Sequence, residues 1–204
     1  ASSVRRIQPR TTTSISLVGT DGGNNKIQYD PFLVQLIRVV DSSNNELCLE
    51  PVTPNTLIST LNQRHLGASG EPTSPRGMMM DYLKVDSIEK LSHMLVPNRG
   101  RFASTSWIQV YRELTEWAIL FDLVRNRTYG TDTLIVYEGL LRSKVFAGEL
   151  FIRLREGIDQ ARLEHRRRHR RIYVVGFAKH SKVLTRYRLS MALEGILATD
   201  YPAS

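Results

Sequence analysis

The chain has 204 residues, 41% hydrophobic and 24% charged, enough for one domain with a real core and unlike a disordered or fibrous protein. The single cysteine, Cys48, excludes an internal disulfide framework and any multi-cysteine zinc site, and fits a reducing cytoplasm. No apolar stretch reaches membrane-spanning length and no apolar block follows the arginines of the first ten residues, while a net charge of +8 predicts attraction to polyanions such as nucleic acid.

In chain order, Thr11 to Thr20 reads as a strand ending in the cluster Gly19, Gly22 and Gly23. Pro31 to Val40 and Glu46 to Val52 read as two more strands, separated by the turn Asp41-Ser-Ser-Asn-Asn45, so the three predict an antiparallel meander. Thr53 or Asn55 is placed to cap a helix running to Leu66. Gly67 to Gly77, with three glycines and two prolines, reads as an exposed loop. The pattern predicts a helix over Tyr82 to Leu95, stopped by Pro97, and the longest clean helix over Trp107 to Val124, its inward stripe drawn from Ile108, Tyr111, Leu114, Ala118 and Leu120 or Phe121. Thr133 to Tyr137 is a wholly apolar run, as in a central strand buried on both faces. A long helix over Phe146 to His169, a strand over Arg171 to Ala178 and a helix over Lys182 to Ala198 complete the order. A meander followed by crossover units predicts an α/β fold, a mixed sheet flanked by helices of the RNase H-like kind, in one domain with a helical insertion over residues 53–105.

Carboxylates fall at the ends of these strands. Asp21 stands just beyond the first strand in Gly19-Thr-Asp-Gly-Gly23, and Glu138 just beyond the strand ending at Tyr137. If the two strands are neighbours, both carboxylates emerge on one edge. Glu113 and Glu116 lie one turn apart on the intervening helix, so they share a face and one of them can reach the same edge. Three convergent carboxylates make a hard-oxygen site for Mn²⁺ or Mg²⁺, able to serve phosphodiester hydrolysis. The competing readings are a turn aspartate at Asp21 and solvated helix residues at Glu113 and Glu116.

Arg162 to Arg171 packs six arginines and two histidines into ten residues, opposed by Glu164 alone. Cations at a helix C-terminus complement its dipole, but this density also predicts contact with DNA phosphates or an acidic partner surface. His165 and His169, spaced as a metal pair could be, would bind a cation poorly among so many charges. Met78-Met-Met80 reads as core filler or a docking surface.

Four segments resemble one family. Leu17-Val-Gly-Thr-Asp-Gly-Gly23 is similar to the opening motif of the NurA nucleases, Arg112-Glu-Leu-Thr-Glu-Trp-Ala118 to their acidic helix, Leu134-Ile-Val-Tyr-Glu-Gly-Leu-Leu-Arg-Ser143 to their second strand motif, and Val174-Val-Gly-Phe-Ala-Lys-His-Ser-Lys182 to their late strand. The resemblance implies a homodimeric nuclease acting on DNA ends with Mn²⁺ or Mg²⁺, in end resection or in defence against foreign DNA, beside a HerA-type hexameric ATPase that drives DNA toward it. It makes Asp21, Glu116 and Glu138 the metal ligands, Glu113 the substitute for Glu116, and Lys179 a cation beside the scissile phosphate, where an ordinary surface lysine is the other reading. Arg142, Arg166, Arg167, Arg168, Arg170 and Arg171 become DNA contacts. Glu138 departs from the family's usual aspartate, and the family's C-terminal segment with further active-site residues is expected to be missing here. Those departures leave a weakly active or inactive adaptor, holding DNA and an ATPase ring, as the alternative.

Overall fold

The computed structural model describes residues 15–29, 32–41, 45–67, 69–104, 106–177 and 182–194, with backbone alone for 15, 16, 20–29, 32, 33 and 182–185. Strands β1 (Ile15–Tyr29), β2 (Phe32–Asp41) and β3 (Glu46–Val52) come first, then helices α1 (Ile58–His65) and α2 (Pro75–Leu83), a 3₁₀ turn over Ile88–Lys90, and a two-residue hairpin of β4 (Pro97–Asn98) and β5 (Arg101–Phe102). Helix α3 (Trp107–Arg125), strand β6 (Asp132–Glu138), helix α4 (Leu150–Arg167), strand β7 (Ile172–Phe177) and helix α5 (Lys182–Leu193) follow. The main sheet runs β3-β2-β1-β6-β7, antiparallel among the first three strands and parallel from β1 through β6 to β7. This is a mixed α/β architecture. Among the described residues no helix is long and apolar enough to cross a membrane.

β1 changes partner halfway along. Ile15 to Thr20 pair with β6, Ile15 opposite Asp132 and Thr20 opposite Tyr137, whereas Thr20 to Tyr29 pair with β2. The strand therefore runs on through Gly22 and Gly23, where sequence predicted its end. A strand of β-branched and apolar residues on the far side, Phe32 to Val40, offers a full ladder, and pairing overrides the turn preference of the glycines.

The middle of the chain differs most from expectation. α1 starts at Ile58 after Leu57, with no side-chain cap, so neither Thr53 nor Asn55 caps it; Thr53 and Thr56 instead close a turn on each other, the Thr53 N–H donating to Thr56 Oγ1 at 2.9 Å. α2 begins inside the predicted loop, because Ser74 is an N-cap accepting from the Gly77 N–H at 3.1 Å and Pro75 sits in the first turn, where proline is favoured. Gly77 is required there, since a Cβ would stand 2.0 Å from the His65 carbonyl oxygen. Met79 and Met80 are fully buried, so the methionine triplet is chiefly core filler. The helix expected over Tyr82 to Leu95 reduces to the end of α2 and the short 3₁₀ turn.

α3 is the centre of the molecule. It buries residues on nearly all sides, including the whole predicted stripe, by packing against α2, α4 and β1. β6 is not buried on both faces. Thr133, Ile135 and Tyr137 are buried, and the alternate residues only half so. α4 is shorter than predicted, with Phe146 buried in the segment before it. β7 and α5 fall within the predicted spans.

A buried polar network ties the edge strand β3 to the helices. Tyr111 Oη donates to Glu50 Oε2 at 2.6 Å, and the Arg76 guanidinium, fully buried, lies 3.6 Å above the Tyr111 ring and 3.4 Å from Glu50 Oε2. His65 Nε2 lies 2.8 Å from Arg76 Nη1, which can only donate, so the ring proton sits on Nδ1 and points at Ser74 Oγ, also 2.8 Å away. Arg76 Nη2 donates to Thr115 Oγ1. Burial and the neighbouring arginine push His65 down to about 3. Burial alone would raise Glu50, but Arg76, His65 and the Tyr111 hydroxyl hold it at about 2.

Both shifts make the fold acid-labile. A histidine at about 3 when folded and about 6.5 when unfolded takes up its proton only on unfolding, so stability falls as pH drops from 6.5 toward 3; Glu50 adds a second loss between about 4.5 and 2. We predict that unfolding free energy measured by urea titration drops by on the order of 3 kcal/mol between pH 7 and pH 4, and that His65→Gln removes most of that slope. A wild-type stability flat over this range would contradict the network.

Candidate functional site

The parallel register of β1 and β6 places the middle of β1 beside the end of β6. Thr20 is opposite Tyr137, so Asp21 and Glu138 are the next positions in the two chains, at adjoining places in the ladder. Beyond that point β6 stops and β1 continues beside β2 alone. Asp21 thus lies within its strand, at the point where the parallel pairing ends. Glu138 is the last residue of β6, opposite Phe177 of β7. At the next residue, Gly139, the backbone takes φ +139° and the chain turns away, a conformation that strains an L side chain; a Cβ there would also press to 3.0 Å from the Tyr137 ring.

α3 carries two more carboxyl groups to this edge. Tyr137 projects to the helix side of the sheet, where it stacks on Trp117 with ring centroids 5.1 Å apart, and its hydroxyl lies 3.4 Å from Glu116 Oε2. Glu113, one turn earlier, accepts from Ser143 Oγ at 2.5 Å, so the segment leaving β6 folds back over the helix. Arg112 Nε stands 3.4 Å from Glu116 Oε1. Ser143 and Tyr137 were not among the predicted site residues, because a hydroxyl partner leaves no spacing signal until the fold brings it alongside, whereas Arg112, four residues before Glu116, is the ion-pair neighbour that helix spacing offers.

Glu116 is the perturbed group. Burial raises its pKa to about 7, with Glu113 and Glu138 adding repulsion against the opposing pull of Arg112 and the Tyr137 hydroxyl. A carboxyl that exchanges its proton near neutrality is suited to general acid or base work. Glu113 and Glu138 therefore both act on Glu116 through their charge. Carboxylate oxygens are the right donors for Mg²⁺ or Mn²⁺. Among the described residues, however, no three His, Cys, Asp or Glu groups converge as a metal site needs. Asp21 is placed by its backbone only, and Lys179 lies outside the described residues.

The basic residues divide between two places. Arg142, exposed, immediately precedes Ser143 on the carboxylate side. Arg166, Arg167, Arg168, Arg170 and Arg171 lie at the other edge, where α4 ends and β7 begins; the Arg171 N–H donates to Asp132 Oδ1 at 2.9 Å at the start of β6. β7 is six residues long, so this turn is about 20 Å from the carboxylates. His165 and His169 form no metal pair: His165 is buried, its Nε2 donating to the Val124 carbonyl at 2.9 Å and so locking α4 to α3, while His169 adopts φ +57° in the turn that ends α4.

No family model, curated protein or solved structure matches the chain.

Because Glu116 is held near 7 when folded and near 4.5 when unfolded, its ionisation opposes folding: its contribution is intact below about 4.5 and is lost as pH rises through about 7. Glu116→Gln should therefore leave the melting temperature nearly unchanged at pH 4.5 and raise it at pH 8.5, by the equivalent of about 2–3 kcal/mol. A variant less stable than wild type at pH 8.5 would contradict the clustering of carboxylates.

Proposed function

We propose that this chain is a metal-dependent DNA nuclease of RNase H-like fold, akin to the NurA nucleases, hydrolysing phosphodiester bonds at DNA ends. The observation that carries the reading is the register of β1 and β6, which sets Asp21 beside Glu138 at the edge where Glu116 holds its proton near neutrality. An antiparallel meander joined through β1 to two parallel crossover strands is also the arrangement expected of an RNase H-like sheet.

On this reading a Mn²⁺ or Mg²⁺ ion would be held by Asp21, Glu116 and Glu138, with Glu113 in place of Glu116 if the Ser143 contact opens. The ion would supply charge neutralisation at the phosphate and a more acidic water. Glu116, which without the ion holds its proton to about pH 7, would give that proton up on binding the cation as a carboxylate. Lys179 offsets charge on the phosphate oxygens, and Arg142 grips the backbone of the reacting strand. Arg167, Arg168 and Arg170, at the far edge, are too distant for the scissile phosphate and serve DNA flanking it. The protein works as a homodimer with a HerA-type hexameric ATPase, in end resection or defence against foreign DNA.

One observation favours a second reading. Glu138 stands where the resembled family carries aspartate, which suits an adaptor that keeps the fold to hold DNA and an ATPase ring without cleaving.

The deciding experiment is degradation of end-labelled linear DNA with Mn²⁺. Asp21→Ala should abolish it, a loss of at least about a hundredfold, with an unchanged circular-dichroism spectrum. Undiminished cleavage by this variant would refute the assignment of Asp21. No cleavage by the wild type, together with no Mn²⁺ binding by calorimetry, would establish the adaptor.

A further inference from the structure

β7 ends the sheet, and its outer edge faces a groove. Arg171 O and Phe177 O accept from Thr133 and Gly139 of the β6 side, so the N–H and C=O groups of Ile172, Val174 and Gly176 point outward. Among the described residues no further strand pairs with that edge. Arg162 of α4 crosses to it and donates from Nε to Ile172 O at 3.0 Å, while its Nη1 holds Asp159 Oδ1 at 2.9 Å. Two adjoining hollows of about 520 and 300 Å³, sharing Asp159 and Arg162, run along α4 beside the strand.

The walls of this groove have two characters. On the helix side stand Arg155, Arg162, Arg166 and Arg171, opposed by Asp159 and, beside Arg171, by Asp132, over an apolar floor that includes Ile158 and Val174. On the opposite face of the sheet Val175 and Phe177 are exposed. A strand added to β7 would alternate its side chains between these surroundings.

We propose that the β7–α4 groove binds an extended segment of a partner polypeptide by strand addition, with acidic residues facing the α4 arginines and apolar residues facing Val175 and Phe177. Outward peptide groups of Val174 and Gly176 are matched by another peptide backbone, which nucleic acid lacks. A second copy of this chain fits poorly, since joining β7 to β7 would bring the arginines of both copies together. The positive wall selects the acidic partner and the alternating pattern sets its register. Arg166 and Arg171 then serve this groove rather than DNA, leaving Arg167, Arg168 and Arg170 outside it.

The probe is a fluorescein-labelled peptide of alternating glutamate and valine, followed by anisotropy and by amide chemical shifts of the full chain. Saturable binding is expected, with the largest shifts and new exchange protection at the Val174 and Gly176 amides. A lysine–valine peptide should not bind. Arg155→Glu/Arg166→Glu, at two exposed positions, should weaken the glutamate–valine peptide by about tenfold or more. Shifts confined to surfaces away from β7, an affinity unmoved by the charge reversals, or single-stranded oligothymidine displacing the peptide from the Val174 amide and binding there more tightly would each overturn the proposal.

Discussion

The parallel hydrogen bonding between Ile15–Thr20 and Asp132–Tyr137 is the constraint on which the rest depends. It joins the meander to the crossover half of the sheet, and it fixes which residues leave the sheet together. A slip of one position would turn every side chain of β1 to the other face. The register is held from the helix side, where Ile135 and Tyr137 are buried against α3 and Val18 packs on the same core. Trp117 against Tyr137 then fixes how α3 lies on the strand, and with it where Glu116 and Glu113 emerge.

The two polar clusters of the molecule behave oppositely. Around Glu50 the charges balance: one carboxylate, one guanidinium and a neutral histidine, each with hydrogen-bond partners, and the carboxyl is ionised far below the usual range. Such a network holds β3 to α1, α2 and α3, and breaking one partner leaves a buried charge exposed to the other's loss. Around Glu116 the charges do not balance. Burial, with the added repulsion of Glu113 and Glu138, outweighs Arg112 and the Tyr137 hydroxyl, and the proton is held near neutrality. The first arrangement is that of a fastening. The second suits a carboxyl that takes up a cation or exchanges a proton, and the proposed function rests on it.

Much of the architecture was legible from residue pattern. Glu46–Val52 matched in both bounds, and the apolar run ending at Tyr137 was found within a residue at each end, because β-branched runs between turn residues have few alternative structures. The failures have physical causes. Gly22 and Gly23 suggested a turn, but the ladder offered by β2 was worth more than local preference. Ser74-Pro75 held a helix start inside a glycine-rich stretch that read as a loop. At the site, helix spacing put Glu113 and Glu116 on one face without choosing between them and the strand pattern put Glu138 at a strand end, whereas Ser143, 30 residues from Glu113, could not be paired with it from sequence. The Glu50–His65–Arg76–Tyr111 network escaped for the same reason, its members lying on four elements. The arginine run was legible as a basic cluster, but not the division that turns part of it toward β7.

The most direct measurement is a cross-link that needs no activity. With Cys48 replaced by serine, Asp21→Cys and Glu138→Cys together put two thiols at adjoining positions of parallel strands, about 5 Å apart at Cα and within disulfide reach. The account predicts rapid, near-quantitative intramolecular disulfide formation on mild oxidation of the folded protein, detected by mass spectrometry, and none in urea at the same rate. Thiols that stay free in the folded state, or that bridge only between molecules, would contradict the shared edge.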